Sequence, residues 1–346
     1  IVAASRTSPS PGIAPDANLV SVRVLDANGS SRLSTVMLGL EWVVAHKAEL
    51  GIRVVVMALG APAVAGYHED PLAAASELAW HSGLVLVVAA GNGGPGAGTI
   101  QTPGIDPLVL TVGAADDNGT AAVADDGIPT WSGVGPTPDG LVKPELVAPG
   151  RKIVSVRVPG STIDLQSPTH IEGPTTIRFS GTSEAAGVAA GAAALLLQQR
   201  PSLDPDQTKA LLVGSARPVA GASKASQGAG LLNMTRALAA RTPHVEQSRL
   251  RPADGLLRAI LPALRAQGLG RTDGEDAQGD GSVQGDQVRW DQVRWDQVRW
   301  DQVRWDQVRW DQVRWDQVRW DQVRWDQVRW DQVRWDQVRW DQAIFD

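Results

Sequence analysis

The chain has 346 residues, 43% of them hydrophobic, a formal net charge of −6 and no cysteine. That length suits one large domain or two ordinary ones. The acidic balance gives no hold for nucleic acid or an anionic membrane, and the lack of cysteine excludes disulfides and thiolate metal sites. No apolar run reaches the roughly 18 residues needed to span a bilayer.

The first residue is Ile1, with no signal-peptide layout, so a processed or truncated start is expected. The compartment cannot be read from it; a secreted or cell-surface protein is preferred over a cytoplasmic one. From Asn18 to about Ala240, short β-rich runs alternate with helical stretches. "NLVSVRVLD" (18–26) reads as a buried strand. Residues 31–51 are helical by the spacing of Val36, Leu40, Val43 and Val44, with Gly51 as the stop. A strand follows at 52–59, then a helix at 70–82 with Leu72, Leu78 and Ala79 inward. "LVLVVAA" (84–90) and "LVLTVGA" (108–114) are near-continuous apolar runs, as in parallel strands covered on both faces.

This order predicts an α/β fold, a mostly parallel sheet with helices on both faces. A loop-rich region (116–176) follows, where Asp116, Asp117, Asp125 and Asp126 read as solvated turns without calcium-loop spacing. Helices are then expected across 178–201, near 205–216 and within 228–240. Residues 241–285 turn polar and read as a flexible linker.

Residues 286–340 are "DQVRW" repeated eleven times. On a helix, five residues advance about 140°, so the tryptophans spiral and form no stripe. On a flat strand, an odd period puts successive tryptophans on alternate faces. A β-solenoid turning every five residues would keep Val and Trp inside; otherwise the repeat is disordered and self-associating through tryptophan. The chain thus divides into 1–240, 241–285 and 286–346.

The chemistry gathers at "RFSGTSEAAGVAAG" (178–191), where Ser183 stands at the mouth of an apolar helix. Alone, such a serine is most often a cap. Upstream, "VVAAGN" (87–92) ends a buried strand on Asn92, at the C-terminal edge of a sheet where α/β proteins place ligands. Five segments, in order, resemble the subtilisin-like serine proteases of the S8 type, most of all their alkaline intracellular-type branch. They are "GIAPDANLVSVRVLD" (12–26), "MALG" (57–60), "VVAAGN" (87–92), "GVGPTPDGLVKPELVAPG" (133–150) and "SGTSEAAGVAAG" (180–191). The resemblance extends over roughly residues 1–240.

The resemblance implies acyl transfer on polypeptide substrates, with no cofactor and no metal assigned. Ser183 is the implied nucleophile. Asn92 is the implied oxyanion donor, a role for which subtilisins are the type case and whose loss costs about 10²–10³ in rate. Ala58, Leu59 and Gly60, with Ala89, Ala90 and Gly91, are the implied edges that pair with substrate backbone. Gln101, in "QTPG", falls where the family shapes its pocket floor.

Serine needs a histidine to take its proton and a carboxylate to orient that histidine. The family carries these in an Asp-Ser/Thr-Gly turn and a His-Gly-Thr-His helix start, and neither motif occurs here. His46, His68, His81, His170 and His244 read as structural or solvated. "IVAAS" (1–5) resembles the continuation of the family's histidine helix, so the chain reads as truncated in mid-helix and inactive as given. Glu184 departs from the family's apolar residue; it either raises a histidine's pKa or points to solvent. The competing readings are a peptide-binding pseudoprotease and a self-assembling repeat served by the protease domain.

Overall fold

A computed structural model describes residues 1–247 except 27, 121 and 246, and also two-residue strands at Val298–Arg299, Gln302–Val303, Arg309–Trp310 and Arg329–Trp330. The chain divides into two units, Ile1–Ala253 and Asp254–Asp346. The linker reading of 241–285 beyond residue 247, and the solenoid-or-disorder and self-association readings of 286–340, lie outside the described residues apart from those four short strands.

Helix α1 (Leu33–Leu50) leads into β1 (Val54–Met57) and the short β2 (Ala61–Pro62). Then come α2 (Pro71–His81), β3 (Val85–Ala89), the short β4 (Gln101–Thr102), β5 (Leu110–Ala115) and β6 (Leu146–Pro149). A smaller part holds β7 (Ile153–Val156), α3 (Thr162–Gln166), β8 (Ile171–Gly173) and β9 (Thr176–Phe179), and the helices α4 (Thr182–Gln199), α5 (Pro205–Ser215), α6 (Lys224–Gln227) and α7 (Met234–Ala239) follow.

The element ends have local causes. Gly51 closes α1 with φ of 65°, a left-handed conformation that suits glycine. Asp70 opens α2 by accepting the Leu72 and Ala73 amides at 2.8 and 2.9 Å, with Pro71 at the first position. Asp204 and Gln207 form a reciprocal capping box on α5.

The strands β1, β3, β5 and β6 form one parallel sheet in that order. Every residue of β3 and β5 is buried, so both faces of the sheet are covered. Helix α4 lies across all four strands, while α2 packs on β3 and against α1. Between Thr182 and Leu196 the buried residues of α4 are Ala185, Ala186, Gly187, Ala189, Ala190, Gly191, Ala192 and Ala193, which lets its backbone come close to the sheet. Gly191 admits Ile13, whose Cβ lies 2.6 Å from where a glycine Cβ would stand.

The chain departs from the sequence expectation at 18–26. This segment forms no strand; Leu19 is 70% exposed. β1 pairs with β3 alone and leaves Val56 exposed, so the apolar alternation of 18–26 finds no ladder partner there. Val22 and Val24 instead lie against Gly39 of α1. Val44 and Leu78, expected inward, are half-buried; Met37 and Trp80 are buried on the same two helices.

A charged cluster sits under the sheet. Lys143 and Lys209 both pair with Glu145, whose other oxygen accepts the Thr111 amide at 2.8 Å. Lys143 also donates to the Val109 carbonyl and the Thr111 hydroxyl, and Lys209 to the carbonyls of Pro107, Leu108 and Val109. Burial pulls the Lys143 ammonium down to about 8, against the pull of Glu145. The acidic residues expected as solvated turns are partly tied: Asp116 pairs with Arg151, and Asp126 with Arg217 at 2.9 Å.

Candidate active site

The site forms where β3 ends and α4 begins. β3 runs out at Ala89; the Ala90 amide still donates to Val112, and Gly91 then turns with φ of 98°, delivering Asn92 to the surface. Gly91 is closed in from behind by Gly133, whose amide donates to the Gly91 carbonyl at 2.8 Å. Across from it, Gly181 is tied to Gly150 by a 2.8 Å amide–carbonyl bond, which fixes the turn that starts α4.

Thr182 joins the two halves. Its buried hydroxyl accepts the Gly91 amide at 3.1 Å and donates to Asn92 Oδ1 at 3.0 Å, while its own amide donates to the same oxygen at 2.9 Å. The amide group of Asn92 is therefore held by its oxygen, which leaves Nδ2 turned away from Thr182. A Cβ placed on Gly181 would lie 3.4 Å from Asn92 Nδ2 and 3.7 Å from the Ser183 amide nitrogen. Two N–H groups thus border one small space at the positive end of an 18-residue helix, together with Glu184 Oε2, which lies 2.6 Å from the same point.

Ser183 Oγ donates to the Ala58 carbonyl at 3.2 Å, which brings the serine to the end of β1. Ala58–Gly60 and Ala89–Gly91 follow the neighbouring parallel strands β1 and β3, so the structure brings together both sequence-assigned edges, Ser183 and Asn92. Gln101 belongs to the same place: its amide donates to the Ala90 carbonyl at 3.0 Å.

No histidine hydrogen-bonds to Ser183 among the described residues. His46 bonds the Trp42 carbonyl at 2.8 Å and stacks on its ring, His68 lies on Tyr67, and His170 meets Phe179 edge-on. His81 ends α2 and His244 is exposed.

Glu184 does not simply point to solvent. It is half-buried and folds back toward Gly181, where its Oε2 lies 2.6 Å from a glycine Cβ position. Burial raises its carboxyl above the ordinary range, against the pull of its own backbone N–H and the Ile1 amino group.

Thr182, Gly150 and Gly133 are the parts of this site that the sequence reading passed over. The only signal for Thr182 was a small polar residue between a glycine and the serine. Gly133 and Gly150 bound one of the segments that resemble the family, but nothing local shows their contacts, because their partners Gly91 and Gly181 lie tens of residues away.

A sequence model of the subtilase family, peptidase S8, matches residues 1–234. The chain is 45% identical over 206 residues to serine protease AprX of Bacillus subtilis, an alignment covering 58% of this chain and 47% of that protein. It thus spans about half the length of that relative. It is 31% identical over 228 residues to subtilisin DY of Bacillus licheniformis, covering 65% of this chain and 70% of that one. Among solved structures, fervidolysin from Fervidobacterium pennivorans, a keratinolytic enzyme related to subtilisin, superposes with a TM-score of 0.55 at 26% identity, over 70% of this chain and 35% of that one. The prenylagaramide maturation protease PagA gives 0.51 at 29% identity, over 68% and 77%. With a parallel α/β sheet, a Gly-Thr-Ser helix start and a match over two thirds of its residues, the chain belongs to the subtilase family of serine proteases.

Proposed function

We propose that residues 1–240 form the serine-bearing part of a subtilase endopeptidase, with Ser183 as nucleophile and Asn92 in the oxyanion hole. The observation that carries this reading is the Asn92 amide, clamped by Thr182 and facing the same space as the Ser183 N–H. An extended peptide would pair its backbone with Ala58–Gly60 and Ala89–Gly91. Ser183 Oγ would then form a bond to the carbonyl carbon while its proton passes to a general base. The carbonyl oxygen would take the negative charge between Asn92 Nδ2 and the Ser183 N–H. Collapse would break the C–N bond, with the amine leaving on the returned proton and the acyl group left on Ser183 for water to release.

No base touches Ser183 among the described residues, whose histidines are engaged elsewhere or exposed. Alone, the chain is then expected to bind peptides without cutting them. The bond from Ser183 Oγ to a main-chain carbonyl instead of a base favours that second state for the isolated chain.

A fluorophosphonate probe tests the reading. Reading the gene upstream of Ile1 shows whether a longer product exists. If it carries an Asp-Ser/Thr-Gly and a His-Gly-Thr-His motif, the probe should label it at Ser183, and Ser183→Ala should abolish the label. The 346-residue chain should stay unlabelled. A longer product with both motifs that resists the probe, or labels equally without Ser183, would refute the assignment.

A further inference from the structure

Gln101 occupies an unusual position between the two edges of the site. Its backbone is fixed from both sides: its amide donates to Ala90, and in the β2–β4 pair it stands opposite Pro62. Its side chain then crosses the trough between the edges. A Cβ built on Gly91 would meet Gln101 Cγ at 2.7 Å, Cδ at 2.8 Å and Oε1 at 3.0 Å. A Cβ built on Gly60 would meet the same Oε1 at 2.9 Å and Gln101 Cβ at 3.0 Å. One side chain therefore lies against the bare Cα of both glycines at once. Among the described residues, its side-chain carboxamide makes no hydrogen bond, so packing between the two glycines is what places it.

The trough between two strand edges is where a bound peptide sends down the side chain of the residue that pairs with both. We propose that Gln101 fills the floor of this trough and restricts the site to peptides whose residue at the scissile carbonyl is small: glycine, alanine or serine. The inference rests on the peptide-cleft reading above and adds the substrate class to it. A large aromatic side chain must first displace Gln101 from between Gly60 and Gly91. The Gly91 edge is itself tied down, its amide to the Thr182 hydroxyl at 3.1 Å and its carbonyl to the Gly133 amide at 2.8 Å, so it does not readily move aside to make room. A methyl or hydroxymethyl group can sit above the glutamine without moving it.

Product-like peptides test this without any need for cleavage, because their terminal carboxylate would seat at Asn92 Nδ2 and the Ser183 N–H and fix the register. Fluorescein-labelled Ala-Ala-Ala-Ala and Ala-Ala-Ala-Phe, each with a free carboxylate, are titrated with the full chain and followed by anisotropy. The alanine-ended peptide should bind about 10- to 100-fold more tightly, the usual reach of shape selection in a pocket. Gln101→Gly should raise affinity for the phenylalanine-ended peptide and so shrink the ratio between the two. Gln101→Ser serves the same purpose with more strand propensity, and the wild-type ratio stands as a test by itself. Equal or tighter binding of the phenylalanine-ended peptide by the wild type overturns the inference, as does a ratio unchanged in a folded variant. If neither peptide binds wild type or variant, the peptide-cleft reading fails, and the inference fails with it.

Discussion

Thr182→Val replaces one oxygen by a methyl group at a site with no solvent exposure, so it changes hydrogen bonding and almost nothing in volume. In the wild type, the hydroxyl accepts the Gly91 amide at 3.1 Å and donates to Asn92 Oδ1 at 3.0 Å. Valine leaves the buried Gly91 N–H without an acceptor, a loss of about 1–3 kcal/mol. Asn92 Oδ1 keeps the Thr182 amide at 2.9 Å, so its lost bond is worth only about 0.5–1 kcal/mol. The sum is about 2–4 kcal/mol, which for a domain of this size lowers the melting temperature by roughly 4–16 °C. Thr182→Ser keeps both bonds and removes one buried methyl, at about 1 kcal/mol. Thermal unfolding followed by circular dichroism at 222 nm ranks the three proteins. If valine equals the wild type, or if serine and valine fall together, the hydroxyl does not clamp Asn92 as described.

Glu184→Gln is expected to match the wild type in stability at acid pH and exceed it at neutral pH. Its folded pKa is raised by burial, so the wild-type contribution is whole below the ordinary glutamate value and is lost as pH rises through the folded one. Urea midpoints across that range check it, and a gap independent of pH would count against the buried carboxylate. In the charged cluster, two ammoniums share one carboxylate, so Glu145→Gln should cost about 3–5 kcal/mol at pH 7, and Lys143→Met distinctly less. The depressed Lys143 pKa, about 8, also means that its contribution is greatest above the unfolded value of 10.5 and is lost as pH falls through 8. The stability difference between wild type and Lys143→Met should therefore shift in favour of the wild type by roughly 3 kcal/mol between pH 8 and 10.5; a flat difference refutes the burial argument. Gly150→Ala places a methyl 2.7 Å from Ala114 Cβ and 2.8 Å from the Gly181 carbonyl. It should destabilise by about 1–3 kcal/mol, read as a lower denaturant midpoint with unchanged slope.

The core strands were legible because their cause is local: β3 and β5 are buried on both faces and so are apolar without alternation. The stop at Gly51 is local too. The segment 18–26 carries the same strand pattern but lacks a partner, and pairing is a property of the neighbour. Lys143 could not be foreseen as buried, since lysine is almost never inside unless paired, and its second lysine partner on Glu145 lies 66 positions along the chain. The same holds for Asp126, which meets Arg217 across 91 positions. At the site, motif order pointed to Ser183 and Asn92. The direction of the Gln101 side chain depended on where two distant glycines came to rest, and no pattern near residue 101 encodes that.

The alanines and glycines of α4 have a mechanical consequence. Between Ala185 and Ala193, the buried residues have no side-chain torsion, and such residues have no rotamer freedom to lose or regain. In a helix–sheet contact lined with leucines, rotamer hops would let the two layers drift against each other. Here the layers meet almost backbone to backbone, so the separation of Ser183 on the helix from Asn92 beyond the end of β3 is set by covalent geometry and by the hydrogen bonds of Thr182 to Gly91 and Asn92. The helix acts as a stiff mount, and the reach of its serine is built in before any ligand arrives.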